Sequence, residues 1–182
     1  MATTRTTTGT MRAAKDVADL LRFLPSIALF GGLETKTLEK IISMMTVQEL
    51  KPGAEVCKQG DAGRAMFVVR SGEAVVYRDS IPGGRRAKLI RMGPGEFFGE
   101  MTLIDIMKRS ATVVVEKPTV LLTLGNKELY RLYNEDVAGY VMVLQNLCRE
   151  LSRRLRTTNH KLTLMAEEAG DDSTLIRPAL KR

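Results

Sequence analysis

Apolar residues recur at helical spacing near the start of the chain. Val17, Leu20, Leu21 and Leu24 fall on one face, and Pro25 ends the run. Leu38, Ile41, Ile42 and Met45 repeat the pattern after Gly31-Gly32, so two amphipathic helices are expected within residues 13–46. From Val47 the period changes. Short β-rich runs occupy 47–50, 54–58, 66–70, 74–77, 87–91, 111–116 and 120–124. Most are separated by turn signals: Pro52-Gly53, Gly60-Asp61, Ser71-Gly72, Pro82-Gly83-Gly84 and Gly93-Pro94-Gly95. Strands at roughly ten-residue spacing predict a mainly β fold, an antiparallel, jelly-roll-like β-roll over residues 47–125.

Helical signals return after Leu124 and extend over 126–167. Asn126 is placed to cap a short helix through Tyr133, and Asn134 to cap a second. Glu135 and Asp136 suit the positive end of that second helix. Val137, Tyr140, Val141, Leu144, Leu147, Leu151 and Leu155 line one of its faces, and Leu162 and Met165 extend the stripe. Helical to Glu167, it is about 33 residues, or roughly 50 Å, long. That exceeds what a small β domain covers. The distal part needs a partner, and the same helix of a second subunit is the natural one, giving a homodimer. The stripe departs from strict heptads near Arg154 and Thr158, and fraying at Thr157-Thr158-Asn159 would remove the need. Residues 1–12 and 168–182 read as flexible tails.

Composition narrows the function. The 182 residues are 44% hydrophobic and 27% charged, which excludes disorder throughout and suits one domain with a helical extension. A formal net charge of +7 favours anionic partners without naming them. No segment approaches the ~18 to 20 apolar residues of a membrane span, and the Thr-rich first ten residues do not resemble a secretory signal. Two cysteines, Cys57 and Cys148, form neither a disulfide framework nor a multi-thiolate zinc site, and they suit a reducing, cytoplasmic compartment. The one histidine, His160, lies in a Lys/Arg-rich segment. A multi-His metal site within the chain is excluded and a Ser-His-Asp triad disfavoured, so no enzyme activity, metal or cofactor is expected.

One stretch, 95–112, interrupts the strand pattern. Glu100 to Ile104 has room for about one helical turn, and Gly99 before it lets the backbone approach another group closely. The N–H groups after Gly99 are the free donors of a helix start, a natural anion site. Ten residues after Gly99 comes Arg109, immediately before an apolar strand. Its planar fork matches a phosphate. A carboxylate beside a phosphate site makes sense if Glu100 accepts a hydroxyl of the same ligand. A phosphate with an adjacent hydroxyl describes a nucleotide with a free ribose 2′-OH. Val76, Leu89 and Ile90 offer a face for the base. The competing reading is an internal Glu100–Arg109 ion pair that pins a loop.

Phe98-Gly99-Glu100-Met101-Thr102-Leu103 followed by Arg109-Ser110-Ala111-Thr112 resembles the phosphate-binding cassette of the cyclic nucleotide-binding domain superfamily. Catabolite activator protein and the regulatory subunits of cyclic-AMP-dependent kinase carry that domain. Leu29-Phe30-Gly31-Gly32-Leu33, Lys51-Pro52-Gly53, Gln59-Gly60-Asp61 and Phe67 to Glu73 match its opening helix, turns and strands, so the resemblance covers about 24–156. It implies that Arg109 pairs with the cyclic phosphate and Glu100 with the 2′-OH. Backbone N–H groups at Gly99, Met101 and Thr102 cradle the ligand, and Ser110 adds a hydroxyl. Thr102 replaces a commoner Ala or Gly, and Lys108 stands where kinase sequences have Pro; neither removes a ligand contact. Ser110 leans towards cyclic AMP and leaves cyclic GMP open.

In this family the helix after the β-roll closes over the base, which makes Asn146, Arg149 and Arg153 candidate lid residues. The implied protein is a stand-alone sensor that signals through its C-terminal helix to a protein effector. The alternative is the same fold used for protein interaction without a ligand. Arg149, Arg153, Arg154, Arg156 and Lys161 form a basic run suited to a solvated face or an acidic partner. Only 15 residues follow Glu167, too few for a helix-turn-helix reader, so DNA is not an expected partner of this chain.

Overall fold

The computed structural model describes residues 7–10, 14–79, 86–105 and 107–169. Two helices open it, α1 (Ala14–Phe23) and α2 (Thr35–Met44), with a 3₁₀ turn at Leu24–Ser26 where Pro25 stops the first. The seven expected runs are all strands: β2 (Thr46–Leu50), β3 (Glu55–Cys57), β4 (Ala65–Ser71), β5 (Ala74–Asp79), β6 (Arg86–Met92), β8 (Thr112–Val115) and β9 (Thr119–Gly125). Two more were not expected. β1 (Thr7–Thr10) pairs with β2, so part of the segment read as a tail is a sheet edge, and β7 (Phe97–Phe98) pairs with β4. A four-residue helix α3 (Met101–Ile104), then α4 (Asn126–Glu135) and α5 (Val137–Ala169), complete the order.

The strands form an antiparallel roll of two sheets, one ordered β1-β2-β9-β4-β7 and the other β3-β8-β5-β6. The first is covered on both faces, and its sequence shows why. In β4, Met66 and Val68 face the helical core, while Phe67 and Val69 face the interior between the sheets. In β9, Leu122 and Leu124 face the helices and Leu121 the interior. Both strands are therefore nearly continuous apolar runs rather than alternating ones, and each buried Val, Leu or Phe contributes about 1.5–3 kcal/mol. The Pro82-Gly83-Gly84 turn between β5 and β6 lies outside the described residues, as does the C-terminal tail from residue 170.

α5 extends unbroken for 33 residues through Thr157-Thr158-Asn159. Its start is set by Asp136 rather than Asn134: the Asp136 carboxylate accepts the Gly139 N–H at 2.9 Å and the Thr37 hydroxyl at 2.6 Å. This ties the α4–α5 elbow to α2. Two apolar faces run along α5, and they resolve the apparent loss of heptad spacing. Val143 and Leu147 are buried in the helical core, with Tyr140 and Leu151 beside them. Val137, Val141, Leu155, Leu162 and Met165 are exposed. Half-buried Leu144 and Leu151, with exposed Cys148 and Thr158, fill the gaps between them, so a stripe with alternating steps of four and three runs along the whole helix. Among the described residues, no helix is long and apolar enough to cross a membrane.

Candidate functional site

The strand-breaking segment forms one wall of a cavity of about 680 Å³ between the roll and α5. Gly99 takes φ +77°, and a Cβ there would collide with Arg109 Nη1. Only glycine lets β7 turn into α3 so close to that guanidinium. Arg109 is 8% exposed. Nη2 donates to the Ala65 carbonyl at 2.7 Å. Nη1 lies 3.3 Å from Gly99 O and 3.4 Å from Thr102 Oγ1. Phe67 supports the guanidinium from below, its ring centroid 5.5 Å from Cζ. Only the Ala65 bond is short. An arginine has five donors, so the fork keeps capacity for a further acceptor in the cavity.

Glu100, 6% exposed, also lines the cavity. It does not pair with Arg109, which argues against the loop-pinning ion pair; its partner is Arg154 of α5, Nη1 donating to Oε1 at 3.0 Å. Arg154 also donates from Nη2 to Phe97 O at 3.0 Å and stacks over the Phe97 ring at 4.7 Å. Met101 and Thr102 are the first residues of α3, whose N–H groups have no intrahelical acceptor. Ser110 and Met101 line the cavity rim.

The base face is smaller than expected. Val76 and Ile90 are cross-strand partners and both line the cavity. Leu89 does not, because the register slips between Val76 and Tyr77 and leaves it as the extra residue of a β-bulge, exposed on β6. Cys57 adds a half-buried thiol to the wall, and burial pushes its pKa up despite the neighbouring Arg109.

The lid assignments need correcting. Asn146 is not a lid residue: it is buried, and its Nδ2 donates to Leu29 O at 3.1 Å and Gly31 O at 2.8 Å. It fastens α5 to the turn before α2, which otherwise buries two unpaired carbonyls. Arg149 donates to Asn146 Oδ1 at 2.9 Å and does not line the cavity. Arg153 reaches the cavity rim, held by Glu150. The residue that sequence reasoning missed is Arg154. Helical period was the available signal: Val143, Leu147, Glu150, Arg154 and Thr158 share one face, so the face buried against the helical core continues over the cavity.

The family model described as a cyclic nucleotide-binding domain matches residues 47–136. A cyclic AMP receptor protein of Thermus thermophilus is 34% identical over 140 residues, 77% of this chain and 62% of that protein. A cAMP-dependent protein kinase regulatory subunit of Mucor circinelloides is 34% identical over 110 residues, 60% of this chain and 25% of that one. The chain thus spans less than two thirds of these curated relatives. Among solved structures, a cyclic nucleotide-binding domain from Methylobacillus flagellatus superposes with TM-score 0.73 at 27% identity, covering 83% of this chain and 84% of that one.

Proposed function

The chain belongs to the cyclic nucleotide-binding domain family over residues 47–136, and from that premise we propose that it is a sensor of a cyclic purine mononucleotide, cyclic AMP foremost. The observation that carries this reading is the pair Arg109 and Glu100. They are two buried, oppositely charged groups on one cavity wall, bonded to other partners rather than to each other. A guanidinium with donors to spare takes the exocyclic oxygens of the cyclic phosphate. The first-turn N–H groups of α3 and the Ser110 hydroxyl take the remaining oxygens. The second oxygen of Glu100 accepts the ribose 2′-OH, and Val76 and Ile90 flank the base. α5 lines the opposite wall, so it reads occupancy and passes it to a protein effector. Its exposed heptad face pairs two copies of the chain. We read the module as acting alone, by binding rather than by catalysis.

Titration calorimetry with cyclic AMP, cyclic GMP, 5′-AMP and 2′-deoxy cyclic AMP tests this. Both cyclic ribonucleotides are expected to bind, cyclic AMP more tightly, with 5′-AMP and the deoxy analogue at least tenfold weaker. Heat from neither cyclic nucleotide would promote the second reading, an interaction module without ligand. What favours that reading is that Glu100 already has a partner in Arg154.

A further inference from the structure

Asn126 opens α4, where its residue type suggests a cap. In the structure Gly125 holds the cap position and the Asn126 side chain turns away from the helix. Its Nδ2 donates to the Thr102 carbonyl at 2.9 Å, and its backbone N–H donates to Arg64 O at 3.0 Å. Its Oδ1 is buried and has no hydrogen-bond partner among the described residues. Chemistry fixes the orientation of the amide: Thr102 O only accepts, so nitrogen must face it. The amide is therefore tied to the cassette through its nitrogen.

What it supplies is a directional tie to the cassette. α3 is four residues long: Asp105 N–H returns to the Met101 carbonyl, but the Thr102 carbonyl has no donor within the helix. Thr102 is engaged at both ends. Its hydroxyl donates to Gly99 O at 2.8 Å and lies 3.4 Å from Arg109 Nη1, and its carbonyl takes Asn126. α4 then runs to Asp136, which caps α5. Bonded contacts therefore lead without a break from Arg109 through Thr102 and Asn126 into α4, and through Asp136 into α5. Leu103 also packs α3 against the helical core, but an apolar contact tolerates sliding, whereas a hydrogen bond fixes a position along the helix.

We propose that Asn126 is the positioning residue that makes α4 and α5 follow the cassette when its Arg109 takes an anion. The proposal rests on the cassette being a cyclic nucleotide site. Hydrogen–deuterium exchange on the full chain, with and without saturating cyclic AMP, tests it. In the wild type, ligand is expected to slow exchange at 99–110 and to change it across 126–151. In Asn126→Leu the cassette keeps its protection and affinity stays within about threefold, but the ligand-induced difference across 126–151 falls by more than half. A merely structural role gives faster exchange in α4 with and without ligand and an undiminished difference, which overturns the proposal. Should Asn126→Leu not fold, Asn126→Asp keeps the shape, replaces the donor by an acceptor, and is judged by the same difference. A wild type that binds cyclic AMP with no change beyond the cassette overturns the relay and leaves the ligand reading standing. A wild type that binds no cyclic nucleotide overturns both.

Discussion

Replacing Arg109 by alanine separates the two jobs its guanidinium holds. In the protein alone, Arg109→Ala removes the donor to Ala65 O at 2.7 Å and the longer ones to Gly99 O and Thr102 Oγ1. One good hydrogen bond and two weak ones cost about 1–2 kcal/mol of stability. With ligand, the loss is larger. Two bonds to a phosphate net about 1.5–3 kcal/mol each, and the α3 N–H groups recover part, leaving about 3–5 kcal/mol. At 1.4 kcal/mol per tenfold this is roughly 10² to 4 × 10³ in affinity. Arg109→Lys keeps the charge and loses the fork, so about tenfold is expected. Calorimetry with cyclic AMP reads the affinity, and thermal denaturation without ligand reads the stability. An Arg109→Ala protein that is folded and binds as tightly as the wild type would refute the placement of the phosphate.

Asp136 makes stability depend on acid. The Thr37 hydroxyl, then the Gly139 N–H, with Lys40 nearby, hold its carboxyl below the ordinary 3.8. A depressed native pKa means its contribution is fully present above about pH 4 and is lost as pH falls through the native value. Urea midpoints between pH 7 and pH 3 should therefore fall further for the wild type than for Asp136→Asn, and Asp136→Ala should lose about 1 kcal/mol at pH 7 as a missing cap; parallel pH profiles would contradict this. On α5, Leu155→Glu with Leu162→Glu should convert a dimer to a monomer by light scattering, and a wild-type mass of one chain would remove the seam. Arg154→Ala should weaken cyclic AMP relative to its 2′-deoxy analogue by about 1 kcal/mol, roughly fivefold, because a partly exposed cation steadies Glu100; an unchanged ratio in calorimetry would count against it.

The roll was legible because its signals are local. Turn glycines and apolar runs mark β2 through β6, β8 and β9 whatever the tertiary context, and Leu121 and Leu122 are both apolar because both faces of β9 are covered. β1 was not legible. Thr7-Thr8-Gly9-Thr10 has no apolar residue, and its strand conformation follows from the open edge of β2 rather than from its own composition. That Gly99, Glu100 and Arg109 share one cavity wall could be read because a short chain segment brings them together. The far wall could not be read from polarity. Asn146 and Arg149 are polar residues of α5 that serve an N-terminal turn, and Leu89 is apolar yet misses the cavity through a bulge no pattern announces. Arg154 was available only by following one helical face from Leu147 onward.

On the proposed reading Glu100 is where ligand and α5 would meet, and the geometry decides whether they compete. Arg154 reaches only Oε1. Its other bonds, Nη2 to Phe97 O and Nε to Glu150 at 3.1 Å, and its stack on the Phe97 ring do not involve Glu100. Giving up the carboxylate would therefore not release the helix, and expelling the arginine would leave a buried carboxylate with one neutral hydroxyl as partner, the worse arrangement electrostatically. A carboxylate has lone pairs for both: on the proposed reading Oε2 would take the sugar hydroxyl while Oε1 keeps the guanidinium. Each partner would then hold the carboxylate for the other, so the two would not compete, and any coupling between nucleotide and α5 through Glu100 would act equally in both directions.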